Sequence, residues 1–408
     1  MGGDTRFEVR PARADEIEQL GALGAYVYAG AYGDGTDNVV TRSNRAEWTL
    51  CAFVAGRMAA SYATIPFTAR ADGRAIALGG VTAVGTLPEY RRQGMLRAIT
   101  LRAFAQMREH GQGVAALWAS QAAIYQRYGY ALGSLQTTYR IDGVDIGFAD
   151  GDEGSARVER VGVEQGFDVV KRVYVDFVAE RTLYLHRAQV IWRSNALSGN
   201  DATGPAHVAI AYRAGAPTGY LVYHVREGRT GHRTRGQELT IKDLAWLDAD
   251  AYRSLWSWIK RHDLVGRVVW ARAPADDPAA EIFVEPRLLH AEIRDGVWVR
   301  IVDAAAALSQ RGYRVDDALV VEIEQDDLAP WNAGRFLLET SDGAARFSPT
   351  RRSADVRLNV KALASLFTGM RSARELANWG LLDGDDRAIE RATRLFATRH
   401  APHCPDNF

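Results

Sequence analysis

The stretch that most constrains this 408-residue chain is residues 81–104, VTAVGTLPEYRRQGMLRAITLRAF. An apolar run through Val81, Val84 and Thr86 passes by a short polar connection, Arg91-Arg92-Gln93-Gly94, into a segment whose apolar residues Leu96, Ile99, Ala103, Phe104 and Met107 recur at helical spacing. A buried strand must therefore turn directly into an amphipathic helix. The turn has the chemistry of a phosphate cradle. Gly94 lets the backbone approach an anion closely. The amides of residues 93–97 open the helix at its positive end. Arg92 and Arg97 add charge-assisted hydrogen bonds, and the strand end at Val84, Gly85 and Thr86 offers backbone groups to an amide-bearing ligand arm. The same residues also suit an ordinary strand-to-helix turn with solvated arginines, so the loop alone does not name a ligand.

Its surroundings narrow the choice. FEVRPA (7–12) reads as a strand, and Asp15 begins a helix through Leu20, Leu23 and Val27. Residues 49–70 form a hairpin about Ala55-Gly56-Arg57, Ala71–Arg74 a second turn, and 75–86 a buried strand. After the 95–110 helix, VAALWAS (114–120) is another strand and Ala122–Tyr128 a short helix. The Gly-rich stretch 146–157 is a linker. A second unit then repeats the order hairpin (207–225, about Gly215-Ala216-Pro217), strand (238–247), helix (250–260) and strand (267–273). At its strand-helix junction, AWLDADAYRSL (245–255), the Arg and Gly are missing, and Asp248 and Asp250 would repel a pyrophosphate. A third unit from near 290 starts with a strand and helix (297–313), continues with strands at 319–326, 334–343 and 344–350, and ends with helices at 354–370, 373–382 and 390–400. The fold class is α+β.

Whole classes of function fall away. Lys+Arg and Asp+Glu are both 50, without the basic excess of a general nucleic-acid binder. Two cysteines in so long a chain point to a reducing compartment, and the polar first residues carry no signal peptide. No apolar run approaches the roughly 18–20 residues of a membrane span. The expected location is the cytoplasm. His400-x-x-His403 beside Cys404 is the nearest approach to a metal motif, and no metal is expected.

The strand, the R-x-x-G turn, the helix, the next strand and Tyr125 ahead of Tyr128-Gly129-Tyr130 together are similar to the GNAT acetyltransferase superfamily. Within it, VTAVGTLPEYRRQGMLRAI and WASQAAIYQRYGYA resemble the Eis (enhanced intracellular survival) group. The resemblance spans the chain, including RDGVWVRIVD (294–303) and the terminal Phe408. It implies a GNAT domain (1–150), a second GNAT-like domain without cofactor (151–290) and a sterol-carrier-like domain (291–408). It implies acetyl-CoA binding at Val84, Gly85, Thr86, Arg92, Gln93, Gly94, Met95, Leu96, Arg97, Ser120 and Gln121. Leu96 stands where the general GNAT motif has Gly or Ala.

Acetyl transfer to an amine needs a proton donor for the departing thiolate and an acceptor for the amine's proton. The resemblance assigns the first to Tyr125, a phenol near pKa 10, and the second to the α-carboxylate of Phe408. Glu89 is the one carboxylate beside the loop. On the acceptor side the resemblance points to Asp295, with Asp406, Asp34 and Asp37 weaker, and to Ala83 as a pocket position. Asn407 stands where the family often has an acid. These expectations describe an N-acetyltransferase for primary amines of aminoglycoside, polyamine or lysine type, a homohexamer by resemblance. The alternatives are a lipid- or apolar-ligand-binding protein with a vestigial acetyltransferase domain, and an acetyltransferase for a small amino-acid metabolite.

Overall fold

A computed structural model describes residues 7–29, 45–199, 203–228, 231 and 234–408. Along the chain, β1 (Glu8–Arg10), α1 (Ile17–Val27), β2 (Thr49–Val54), β3 (Arg57–Ala71), β4 (Arg74–Thr86), α2 (Met95–Glu109), β5 (Val114–Trp118), α3 (Ala122–Gln126) and β6 (Ala131–Leu132) build most of a first sheet. β7 (Leu135–Asp142), β8 (Arg157–Val161), α4 (Val163–Phe177), β9 (His207–Arg213), β10 (Ala216–Glu227), β11 (Gln237–Trp246), α5 (Ala249–Lys260), β12 (Val265–Ala273) and β13 (Glu292–Asp295) build a second. β14 (Val297–Ile301) returns to the first.

The two seven-stranded sheets match strand for strand. The first runs β1-β2-β3-β4-β5-β14-β6 and the second β8-β9-β10-β11-β12-β7-β13. The equivalents of β7 and β14 have changed places: each sheet takes its sixth strand from the other's stretch of sequence. The sheets therefore do not divide the chain near 150 and 290. The chain forms two compact units, residues 1–133 with 297–398 and 408, and residues 134–296 with 399–407. The RDGVWVRIVD motif is split by the same exchange, Arg294 and Asp295 on β13 and the rest beginning on β14.

Local sequence explains the repeat. Ala55-Gly56 and Ala214-Gly215 both take left-handed φ (47° and 81°, 49° and 82°), the two-residue turn whose twist matches paired strands. In the first sheet Ile99, Phe104 and Met107 of α2 pack on Tyr62, Val81 and Ala115. In the second, Tyr252, Leu255, Trp256 and Ile259 of α5 pack on Leu239, Ile241 and Val268. Each such large side chain contributes about 1.5–3 kcal/mol on burial.

The remaining elements of the first unit are α6 (Ala304–Gln310), β15 (Asp317–Ile323), β16 (Gly334–Ser341), β17 (Ala344–Pro349), β18 (Val356–Leu358), α7 (Val360–Thr368), α8 (Ala373–Asn378), β19 (Leu382–Gly384) and α9 (Asp386–Leu395). Their strands form a five-stranded sheet, β17-β16-β15-β18-β19. Residues 354–370 are not helical throughout: Val356–Leu358 pair with β15 and β19, and Asn359 caps α7 through the amides of Lys361 and Ala362. The third sheet is tied to the first by Arg300 of β14. Its fully buried guanidinium reaches both oxygens of Asp326 at 2.6–2.7 Å.

The tail is not frayed. Within the second unit the His403 amide donates to the Thr182 carbonyl at 3.0 Å. Arg272 donates to the Pro405 carbonyl at 2.8 Å, and Arg187 Nε to Asp406 at 2.9 Å. Burial pushes the His403 imidazole down to about 4 from an ordinary 6.5. The unfolded chain thus binds the extra proton between those values, so stability falls as pH drops through that window. Chemical denaturation from pH 7.5 to 4 should show an acid loss of a few kcal/mol, at about 1.4 kcal/mol per pKa unit. The loss should shrink in His403→Gln.

Candidate cofactor and transfer site

The site starts at a break in β4. β3 and β4 pair Ser61 with Gly85 but Ala63 with Thr82, so β4 carries an extra residue. Ala83 absorbs it at φ 49°, left-handed for a residue with a side chain. The buried Ser61 hydroxyl donates to the Ala83 carbonyl and Tyr28 Oη to the Val84 carbonyl, each at 2.7 Å. These bonds hold the bulge and turn the strand end. β4 also parts from its parallel neighbour there: pairing with β5 is confined to Leu78–Gly80 opposite Val114–Ala116.

Beyond Thr86 the chain turns through left-handed Arg92 (φ 61°) and Gly94 (φ 82°) into α2. Gly94 is the N-cap and no side chain caps the helix. The first main-chain bond is Ala98 to the Gly94 carbonyl at 3.0 Å. The amides of Met95, Leu96 and Arg97 thus lack intrahelical acceptors. Among the described residues nothing lies within 4 Å of where a Gly94 side chain would project.

A cavity of about 550 Å³ joins these parts. Its lining includes every residue expected for the cofactor: Val84, Gly85 and Thr86 at the strand end, Arg92, Gln93 and Gly94 in the turn, Met95, Leu96 and Arg97 in the first helical turn, and Ser120 and Gln121 after β5. Arg91 and Arg127 add charge, and no acidic side chain is among the described lining residues. Open amides, several guanidiniums and no carboxylate fit a polyphosphate ester.

Tyr125, on α3, closes one side of the cavity, its residue 6% exposed. Its ring meets Tyr130 edge-on at 5.9 Å, and Tyr130 Oη lies 3.4 Å from Tyr62 Oη. Burial raises the pKa of both Tyr62 and Tyr130, keeping them protonated. Tyr130 packs in the core. Tyr128 does not: it is half-buried and lines the cavity, as do Val27, Tyr28, Tyr90 and Ile124. Sequence spacing flags only Tyr128 among these, one helical turn past Tyr125.

Phe408 belongs to the same compact unit. Its ring meets Phe67 edge-on at 5.2 Å. Gly80, the last β4 residue paired to β5, makes room for it: a Cβ there would stand 2.3 Å from Phe67 and 3.1 Å from Phe408. The terminal residue is thus seated where the two strands part.

The acceptor-side expectations scatter. Ala83 is at the bulge, buried. Asp295 is exposed on β13 in the second sheet and does not line the cavity. Asp406 is fully buried against Arg187, a structural carboxylate. Glu89 is exposed and pairs with Arg57 at 3.4 Å. Asp34 and Asp37 lie outside the described residues. His400 Nδ1 sits 3.2 Å from Asp276, His403 Nδ1 3.3 Å from the Leu135 carbonyl, and Cys404 Sγ 3.6 Å from the Asp406 carbonyl. Among the described residues no group of three or more His, Cys, Asp or Glu could hold a metal, and no helix is long and apolar enough to cross a membrane.

Comparison with known proteins agrees with the geometry. Residues 8–133 and 183–301 each match an acetyltransferase (GNAT) domain, and residues 304–405 a sterol carrier protein domain. An uncharacterized N-acetyltransferase of Streptomyces coelicolor is 30% identical over 82% of both chains. N-acetyltransferase Eis of Mycobacterium tuberculosis is 29% identical over 78% of both. Among solved structures, a GCN5-related N-acetyltransferase from Anabaena variabilis superposes with a TM-score of 0.86 at 25% identity, covering 99% of this chain and all (100%) of that one. Eis1 from Mycobacterium abscessus gives 0.81 at 26% identity, covering 98% and 100%. With tandem GNAT domains ahead of a sterol carrier protein domain, the chain belongs to the Eis family of GNAT N-acetyltransferases.

Proposed function

We propose that this acetyltransferase uses the α2 turn as its one acetyl-CoA site and transfers acetyl directly to a primary amine. The observation that carries the reading is the uncapped start of α2 facing an arginine-lined cavity, without a carboxylate among its described lining residues, that ends at Tyr125. When bound there, acetyl-CoA supplies the activated acetyl group as a thioester. The amides of 95–97 with Arg92 and Arg97 hold the pyrophosphate. Val84, Gly85 and Thr86 at the bulge orient the pantetheine arm and bring a backbone N–H toward the thioester carbonyl. Ser120 and Gln121 complete the walls.

The amine nitrogen forms the new C–N bond as the C–S bond breaks. Tyr125 Oη gives its proton to the departing sulfur, and the Phe408 carboxylate takes the proton shed by nitrogen. The seat of the Phe408 ring on Phe67 and Gly80 supports that assignment. The acceptors we assign are aminoglycosides, polyamines or lysine side chains, with Ala83 as the candidate contact, and two buried free thiols suit work in the cytoplasm.

The second GNAT unit is assigned no cofactor. Its equivalent helix, α5, is capped by Asp248, whose carboxylate accepts from the Ala251 amide at 2.8 Å. The site that is open in one repeat is internally satisfied in the other.

Tyr125→Phe should lower kcat by roughly 10²-fold or more and leave acetyl-CoA affinity unchanged, checked by thiol release and calorimetry. Affinity falling in step with kcat would assign Tyr125 to binding instead. Extending the chain past Phe408 by a few residues should abolish turnover while acetyl-CoA still raises the melting temperature. Full activity in the extended chain would remove the carboxylate from the mechanism.

A further inference from the structure

The second unit keeps a cavity at the place that corresponds to the cofactor site. About 500 Å³ in volume, it lies at the end of β11 and the start of α5, between Trp246 and Tyr252. Its chemistry is inverted. The helix start is satisfied by Asp248, and Asp176 and Glu180 line the cavity as well. A polyphosphate would meet carboxylates where the first unit offers arginines.

One cation is buried in its wall. Arg181 is 5% exposed, its guanidinium 4.0 Å over Phe177 and 5.7 Å from Tyr184 and Trp246. Its Nε and Nη1 have no hydrogen-bond partner. Nη1 forms an ion pair with Asp276 at 3.6 Å, too long for a hydrogen bond. The same carboxylate oxygen also accepts from His400 Nδ1 at 3.2 Å and the Ala401 amide at 3.3 Å, so it is shared with the tail. Three other charges of the lining are matched: Arg399 with Glu180, Arg253 with Asp150, and Asp248 with Arg213. A buried guanidinium with unused donors is costly unless something accepts from them. The partly exposed ring of Trp246, backed by Phe177 and Tyr252, offers an apolar wall beside it.

We propose that this cavity is a second ligand site, for a small planar aromatic molecule carrying a single carboxylate. Its carboxylate takes the Arg181 donors and its ring lies among the aromatic side chains. The volume falls in the range of small-molecule sites, and the surrounding acids exclude multiply charged anions. The contacts of Arg399, His400 and Ala401 place the ligand against the first residues of the tail.

The test uses the full-length protein with indole-3-carboxylate as probe and indole and acetate as controls, read by saturation-transfer NMR and thermal shift. Acetyl-CoA is present at saturation, so the first-unit cavity is filled. Indole-3-carboxylate should give transfer and a raised melting temperature, with both controls at least tenfold weaker. Arg181→Gln should weaken binding at least tenfold. Because Arg181 is buried, Leu247→Trp is the second variant: Leu247 lines the cavity and is 41% exposed, so the larger ring blocks the cavity without disturbing the core. It should lose the probe and keep acetyl-CoA binding. Equal binding by indole, undiminished binding in both variants, or no binding of the carboxylate would each overturn the proposal.

Discussion

The functional half of this molecule depends on one unsatisfied helix start. α2 begins with amides that no side chain among the described residues caps, because Gly94 turns left-handed into the helix and brings no capping side chain. A Gly N-cap gives up only about a few tenths of a kcal/mol relative to a capping side chain, so the open helix start concedes little stability. The return is large when a phosphate arrives. The helix dipole contributes about 0.3–1 kcal/mol and each charge-assisted hydrogen bond about 1.5–3 kcal/mol. The β4 bulge belongs to the same arrangement: Ser61 and Tyr28 hold Ala83 and Val84 in a conformation the strand would not adopt alone.

The duplicated unit makes the point by contrast. Its sheet repeats the first strand for strand, yet its helix carries Asp248 as an internal cap, and Asp250 is spent on the Ser155 amide and hydroxyl. The fold persists and the anion site does not. What the second unit contributes instead is a firm hold on the tail: Arg187 lies between Asp243 and Asp406, all buried. The terminal Phe408 then falls in the first unit, packed where β4 and β5 part.

Much of this was legible in the chain. The α2 turn, both hairpins and the missing second loop follow from glycine positions and apolar spacing, which are local signals. The residues expected for the cofactor gather around one cavity because they sit on consecutive pieces of one strand-turn-helix-strand path. The exchange of β7 and β14 was not legible, since either strand satisfies the same alternating pattern in either sheet. Val356–Leu358 was read as helix because its three residues precede a true helix, and only pairing with β15 decides otherwise. α4 was overlooked although Phe167, Val170, Val173, Tyr174 and Phe177 have helical spacing. Asp406 reads as a solvated tail acid, and its burial depends on Arg187, 219 residues away. Tyr28 and Val27 reach the cavity from α1, a tertiary placement that no local pattern encodes.

The central claim is that an open helix start makes this unit the sole acetyl-CoA site. Calorimetric titration tests it directly, in the native chain and in Gly94→Asp, which gives α2 the acid that caps α5. The account predicts one acetyl-CoA per native chain, and binding weakened more than tenfold, over 1.4 kcal/mol, in a folded Gly94→Asp protein. Two acetyl-CoA per chain, or undiminished affinity in the variant, would contradict it.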